Sequence, residues 1–312
     1  MSVLCFGEVL IDFVSMETGV TVGQATGFIK AAGGAPANVA VAVARLGYPS
    51  GFMGKVGDDP FGHYLVELLA ADGVNVEGCV FDASARTALA FVSLAKDGDR
   101  SFMFYRNPSA DMLFQPSEVS EDVIKQFKVF HYGSIGLIDE PVRSASLRAI
   151  KIAQEAGLMI SYDPNLRAAL WSSEQAAREG MMLGMQYANV LKISEEEVLF
   201  LLGTDDVAGL WQPNMKLMMV THGADGATWY TRTDSQHIEG FAVNSIDTTG
   251  AGDSFVAAYL TRLLELGDGF EAHLDEITRF ACGVGALTTL VKGGIPGLPT
   301  KQQVEAFFRK HG

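Results

Sequence analysis

Cysteine is scarce. Cys5, Cys79 and Cys282 are the only three in 312 residues, odd in number and far apart, which leaves neither a disulfide framework nor a clustered thiolate metal site and suits a reducing cytoplasm. Positive charge is short as well. Lys and Arg number 23 against 37 Asp and Glu, a formal charge of −14, whereas phosphate backbones and anionic membrane surfaces are bound by clustered Lys and Arg. Neither nucleic acid nor a membrane is therefore an expected partner, and an anionic ligand would have to meet local positive potential or a metal ion. Long apolar runs are missing: ANVAVAVARLG at 37–47 carries an Arg and falls short of the roughly 20 apolar residues of a membrane span. The opening MSVLCFGEVLIDF shows no basic leader before an apolar core, so no export signal is expected. Several nucleotide and hydrolase signatures are absent too. Gly54-Lys55 is followed by Val56 and makes no Walker loop, no GxGxxG opens a helix after the first strand, no HExxH occurs, and no Ser or Cys elbow is recognisable.

Glycine, at 34 residues, is plentiful, and 48% hydrophobic against 19% charged residues is ordinary for a globule of one large α/β domain or two small ones. Short β-rich runs recur at VLCFG (3–7), FMGKV (52–56), KVFHYG (128–133), LMISYD (158–163), NVLKIS (189–194) and KLMMVT (216–221). Amphipathic segments separate several of them. One is PVRSASLRAIKIAQEAG (141–157), whose Val142, Leu147, Ile150 and Ala153 fall on one face, giving the βαβ rhythm of a mostly parallel sheet. Residues 12–32 and 84–112 break that rhythm. TGFIKA, ARTALAFVSLA and RSFMFYRN, the last two joined by a KDGD turn, read as strands of a small antiparallel sheet standing off the main body as a lid. The division is then a main domain of 1–11, 33–83 and 113–312 and a lid of 12–32 and 84–112. KQQVEAFFRKHG reads as a closing amphipathic helix.

Two glycine clusters carry chemistry. In DTTGAGD (247–253), followed by Val256, Leu260, Leu263 and Leu264 at helical spacing, TGAG opens a helix whose first amides lack intrahelical partners and favour an anion. Asp253 at the mouth of that pocket is placed to take a proton from an attacking hydroxyl. In AGGAPANVAVAVARLG (32–47), Gly33 and Gly34 allow close backbone approach, Pro36 suits a helix start, and Asn38 projects from the first turn. Asn38 together with Asp12 of GEVLID can donate to and accept from adjacent hydroxyls, as a polyol requires. Taken singly, the first cluster reads equally as a capped helix and the second as a tight strand-to-helix connection.

Taken together they resemble something specific. GGAPANVA with Gly47 and Gly57 behind it, and DTTGAGDSFVAAYL far downstream, resemble both signature motifs of the ribokinase (PfkB) family of carbohydrate kinases. CFGEVLIDFV, ARTALAFV, FMFYRNPSADMLF, HYGSIGL, YDPNLR and KISEEE extend the likeness over most of the chain, toward the fructokinases of that family. The resemblance implies a three-layer α/β/α ribokinase-like domain with a small β-sheet lid, and ATP-dependent phosphorylation of fructose at its 6-hydroxyl. Ribose or 2-keto-3-deoxygluconate is the alternative acceptor, and a non-catalytic sugar sensor the alternative of a different class. It implies that Asp253 is the base, that Gly250, Ala251 and Gly252 form the anion hole, and that Arg167 meets the transferring phosphate. Asp12, Gly33, Gly34, Asn38 and Arg106 match sugar-binding positions. Lys192 and, in THGADG, Thr221, Gly223 and Gly226 match nucleotide contacts, with CGVGALTTLVKGG as one wall of the adenine slot. Magnesium is implied near Glu197 through water, with Ser194 standing where relatives carry Asn. A monovalent cation, potassium, is implied at Asp247 and Thr249. Many relatives also pair lid sheets between two subunits.

Overall fold

A computed structural model describes residues 2–94 and 100–311. Alternation within single strands sets its layers. In β1 (Val3–Phe6), Val3 and Cys5 join one core cluster while Leu4 and Phe6 join the other, so this strand buries both faces. The same holds for β8 (Val129–Tyr132), β10 (Val190–Ser194) and β11 (Leu217–Thr221), where neighbouring residues enter opposite clusters. Near-continuous apolar runs of this kind are what a parallel sheet covered on both sides requires.

Those strands belong to a nine-stranded sheet ordered β13-β12-β11-β10-β9-β8-β1-β4-β5. Its other members are β4 (Ser50–Gly57), β5 (Val74–Asp82), β9 (Met159–Tyr162), β12 (Gly226–Tyr230) and β13 (Ser235–Glu239). All neighbours from β5 across to β11 are parallel; β12 and β13 add an antiparallel hairpin at one edge. Helices α1 (Ala35–Arg45), α2 (Pro60–Ala71), α7 (Ala251–Leu266), α8 (Leu274–Thr288), α9 (Gly294–Gly297) and α10 (Lys301–His311) pack on one face. On the other lie α3 (Glu121–Ile124), α4 (Val142–Glu155), α5 (Glu174–Met185) and α6 (Glu195–Leu202). Three layers result, as the sequence reading expects. In α4, Val142, Ile150 and Ala153 are buried and Leu147 is half-buried on the same cluster.

The second sheet is ordered β3-β2-β6-β7, with β2 (Leu10–Thr18), β3 (Phe28–Gly33), β6 (Leu89–Leu94) and β7 (Arg100–Tyr105). β2 pairs antiparallel with β3, and β6 with β7, but the central β2–β6 pairing is parallel. The KDGD turn expected at 96–99 lies outside the described residues. Ile11 and Ala32 of this sheet are buried in the core of the body, and further contacts seat it there. Phe13 meets Phe61 edge-on at 5.9 Å, and Asp59, which caps α2 through Phe61 and Gly62, also accepts from the Thr87 amide at 2.8 Å. The parallel strands present their carboxyl ends to this sheet's base, the edge at which α/β folds bind ligands.

Candidate active site

The helix start at α7 is built by a residue that cannot carry a side chain comfortably. Gly250 occupies the N-cap at φ 82°, with no side-chain cap, and a Cβ there would come within 3.4 Å of Gly294 Cα. Ala251 N–H donates to Thr248 O at 3.2 Å and Ser254 N–H to Gly250 O at 2.8 Å. Between them, the amides of Gly252 and Asp253 start the helix with no carbonyl one turn back inside it. Upstream, Asp247 braces the loop: its Oδ1 accepts the Thr249 amide at 2.9 Å and hydroxyl at 2.7 Å, and its Oδ2 accepts the Gly293 amide at 2.8 Å. Asp247 thus ties the turn before α7 to the Gly293–Gly294 loop.

Asp253 follows, buried in the first turn, and its Oδ2 accepts Asn38 Nδ2–H at 2.7 Å. Asn38 sits in the first turn of α1, so two helix N-termini meet at one hydrogen bond. Asn38 Oδ1 is itself buried and has no hydrogen-bond partner, an acceptor left for a hydroxyl donor. Burial lifts the Asp253 carboxyl to about 6. The Asn38 bond and the charges of Arg167 and Lys192 oppose that rise, and Asp163 adds to it. Such a group is still mostly ionised at neutral pH yet able to hold a proton, the poise of a general base.

Positive potential comes from the strand ends. Lys192 on β10 is buried and pairs with Asp163 Oδ2 at 3.1 Å, and a Cβ on Gly252 would stand only 3.3 Å from its Nζ. Glycine at 252 therefore lets the ammonium lie against the helix start. Burial works against that ammonium, but Asp163, Glu197 and Asp253 hold its pKa above the ordinary lysine value. Arg167 lies on the turn after β9, its Nη1 donating to Asn165 Oδ1 at 2.7 Å. Its charge is felt at Asp253 and at Glu8. Glu197 Oε1 accepts the Leu166 amide at 2.6 Å, its Oε2 accepts the Ser194 amide at 2.9 Å, and Ser194 Oγ accepts the Glu197 amide in return. Ser194 and Glu197 form a reciprocal cap on α6.

The sugar-side candidates gather at the base of the second sheet. A Cβ on Gly33 would clash with Asp12 Oδ2 at 2.1 Å, and one on Gly34, at φ 106°, would clash with the Glu8 carbonyl at 2.5 Å. Gly33 thus lets β3 lie against the Asp12 side chain of β2, and Gly34 lets the chain after β3 pass the segment before β2. Arg106, 7% exposed, is ion-paired to Asp111, with Nε at 3.0 Å. Thr221, Gly223 and Gly226 lie in the tight turn between β11 and β12, where the His222 amide donates to Gly226 O at 2.8 Å. They join the site through β10: Thr221 stands beside Ser194 in register, and His222 Nδ1 lies 3.0 Å from Glu195 Oε2.

Sequence reasoning missed Asp163, Glu8 and Asp111. Asp163 had a signal, since a carboxylate at the carboxyl end of the LMISYD strand sits where parallel sheets bind ligands. Glu8 had less: burial pushes its carboxyl up to about 7, with Arg106 the strongest opposing influence, and nothing local in the chain foretells that. Among the described residues, no group of three or more His, Cys, Asp or Glu side chains could hold a metal ion. No helix among them is long and apolar enough to cross a membrane.

Comparison with known proteins places this geometry. A family model described as pfkB family carbohydrate kinase matches residues 1–301. A fructokinase of Solanum tuberosum is 53% identical over 310 residues, covering 96% of this chain and 93% of that protein. The fold is similar to a crystal structure of fructokinase with bound ATP from Xylella fastidiosa, at TM-score 0.90 and 36% identity, covering 99% of this chain and 98% of that one. It is also similar to a double mutant of Vibrio cholerae O395 fructokinase bound to fructose, ADP and potassium ion. There the TM-score is 0.87 at 38% identity, over 98% of this chain and 97% of the other.

Proposed function

The chain belongs to the pfkB family of carbohydrate kinases, and on that footing we propose that it transfers the γ-phosphoryl group of ATP to the 6-hydroxyl of D-fructose, giving fructose 6-phosphate and ADP. One observation carries the chemistry: a buried carboxylate, Asp253, held at 2.7 Å by Asn38, opens a helix whose first turn is free of bulky side chains.

Asp253 takes the proton of the fructose 6-hydroxyl as its oxygen bonds to the γ-phosphorus in line. The bond from that phosphorus to the β–γ bridging oxygen breaks, and ADP leaves with the electron pair. The turn Gly250, Ala251 and Gly252, with the Gly252 amide left without a helical partner, meets the charge on the transferring group together with Lys192 and Arg167. Asp12, Gly33, Gly34, Asn38 and Arg106 bind the sugar. Thr221, Gly223 and Gly226 line the nucleotide phosphates. The second sheet is the lid that closes on the sugar and excludes water, which suppresses hydrolysis of ATP.

Magnesium fits this site only through water. Both Glu197 oxygens already accept a backbone amide, so the carboxylate would serve an ion bound chiefly by phosphate and water oxygens. When bound, it neutralises phosphate charge. Potassium at Asp247 and Thr249 would share carboxylate oxygens that already accept the Thr249 and Gly293 amides. Exposed apolar side chains on the second sheet, Met16 and Ile29 among them, favour pairing of two such sheets in a homodimer. The three cysteines are free, which favours the cytoplasm.

A coupled assay with ATP over fructose, ribose and 2-keto-3-deoxygluconate tests the reading. Fructose should give the highest kcat/KM, with fructose 6-phosphate as product. A better rate on either other sugar would reassign the acceptor.

A further inference from the structure

The turn that carries Arg167 is held from two sides. On one, the Leu166 amide donates to Glu197 Oε1 at 2.6 Å while the second carboxylate oxygen holds the Ser194 amide. Glu197 is buried, so these charge-assisted bonds are made away from competing water. On the other, Asn165 Oδ1 accepts Arg167 Nη1–H at 2.7 Å, and the same nitrogen reaches the Leu166 carbonyl at 3.1 Å. Between them the backbone is strained. Asn165 has φ 48°, alone among the described non-glycine residues in the left-handed region. A side chain stays there only when its surroundings over-determine it.

From this geometry we infer that Glu197 is a positioning residue for Arg167: through the Leu166 amide it locks the Asn165 turn, and the turn aims the guanidinium at the transferring phosphoryl group. Ser194 completes the device. Its hydroxyl accepts the Glu197 amide and so fixes the carboxylate's approach, leaving both oxygens to the two backbone donors. The inference rests on the proposed role of Arg167 in phosphoryl transfer, but the link from Glu197 to the turn can be read without substrate.

Three variants test it: Glu197→Gln, Asn165→Gly and Arg167→Ala, with the double variant Glu197→Gln/Arg167→Ala. Gln keeps the shape but accepts only one of the two amides. Gly at 165 relieves the strained φ yet removes the acceptor for Arg167. The Leu166 amide should exchange with solvent on the order of 10-fold faster in Glu197→Gln, a readout that stands even if the wild type fails to phosphorylate fructose. In turnover, Glu197→Gln and Asn165→Gly should each lower kcat on the order of 10-fold with fructose KM little changed. The double variant should be no slower than Arg167→Ala alone. Unchanged Leu166 exchange or losses that multiply in the double variant would each overturn the inference. Because Asn165→Gly leaves Glu197 untouched, a folding failure at 197 would not shield the idea: full kcat in Asn165→Gly would also overturn it.

Discussion

In the nine-stranded sheet the charged groups at the strand ends are buried and already paired, Lys192 with Asp163 at 3.1 Å and, on the helix above, Asp253 with Asn38 at 2.7 Å. In the four-stranded sheet Met16, Ile29, Met103 and Tyr105 are 65, 51, 42 and 57% exposed, while Ile11 and Ala32 on its other side are buried in the core of the body. Charged groups are thus fixed beside the first sheet, while apolar side chains are left exposed on the second. Phosphoryl transfer rewards dipoles and charges that need no rearrangement when the transition state forms, and the first sheet supplies them. Enclosing a sugar calls for a part that can close over it, the role proposed for the second sheet.

The sharpest way to break the contrast is at its rigid end. Asp253→Asn should retain the fold and the Asn38 contact yet lose on the order of 10²–10⁴ in kcat. Near-normal turnover in a steady-state assay would remove Asp253 from its role. Arg167→Ala should come next, lowering kcat on the order of 10- to 100-fold and by more than it raises the fructose KM, since its contact strengthens in the transition state. A raised KM at full kcat would move Arg167 to the sugar-binding side of the comparison. Arg106 is expected to show the opposite split. Arg106→Lys keeps a cation for buried Asp111 but loses the fork, so fructose KM should rise about 10-fold with kcat changed less. Equal losses in both constants would erase the distinction between the two sheets.

The pH dependence sharpens the same point. With Asp253 at about 6 in the folded protein, kcat/KM should fall as pH drops below about 6, because the base becomes protonated. Stability should run the other way. The folded carboxyl sits above its ordinary 3.8, so its stabilising contribution is complete below 3.8 and is lost as pH rises through about 6. Asp253→Asn, which carries no charge to bury, should therefore be more stable than the wild type at pH 8, by about 1–3 kcal/mol. Denaturant midpoints should show that difference fading below pH 4. A wild type more stable than the variant at pH 8 would mean that the buried charge is better compensated than the Asn38 bond suggests.

Much of the rigid end was legible in the chain, because its logic is local. DTTGAGD announces a glycine turn into a helix, and LMISYD and NVLKIS are apolar runs long enough to mark buried parallel strands. β13, SQHIE, was not, being an exposed edge strand with no alternation to read, and β5 likewise lies at the opposite edge. The pairing inside the site was harder still. Asn38 and Asp253 stand 215 residues apart and Lys192 and Asp163 29, and only the parallel sheet and the two facing helix starts bring each pair together. Asp163 lies within YDPNLR, but its importance comes from Lys192 on the next strand. Glu197 shows the reverse case: an acidic residue in a run of three reads as metal-directed or solvated, while its hydrogen bonds tie down a turn thirty-one residues away.

A crystal structure of the ternary complex with fructose and a non-hydrolysable ATP analogue tests the central claim most directly. The fructose 6-oxygen should lie about 2.6–3.2 Å from an Asp253 carboxylate oxygen, with the terminal phosphoryl group against the amides at 250–252. A 6-oxygen out of reach of Asp253, or nearer to Asp12 or Asp163, would contradict the account.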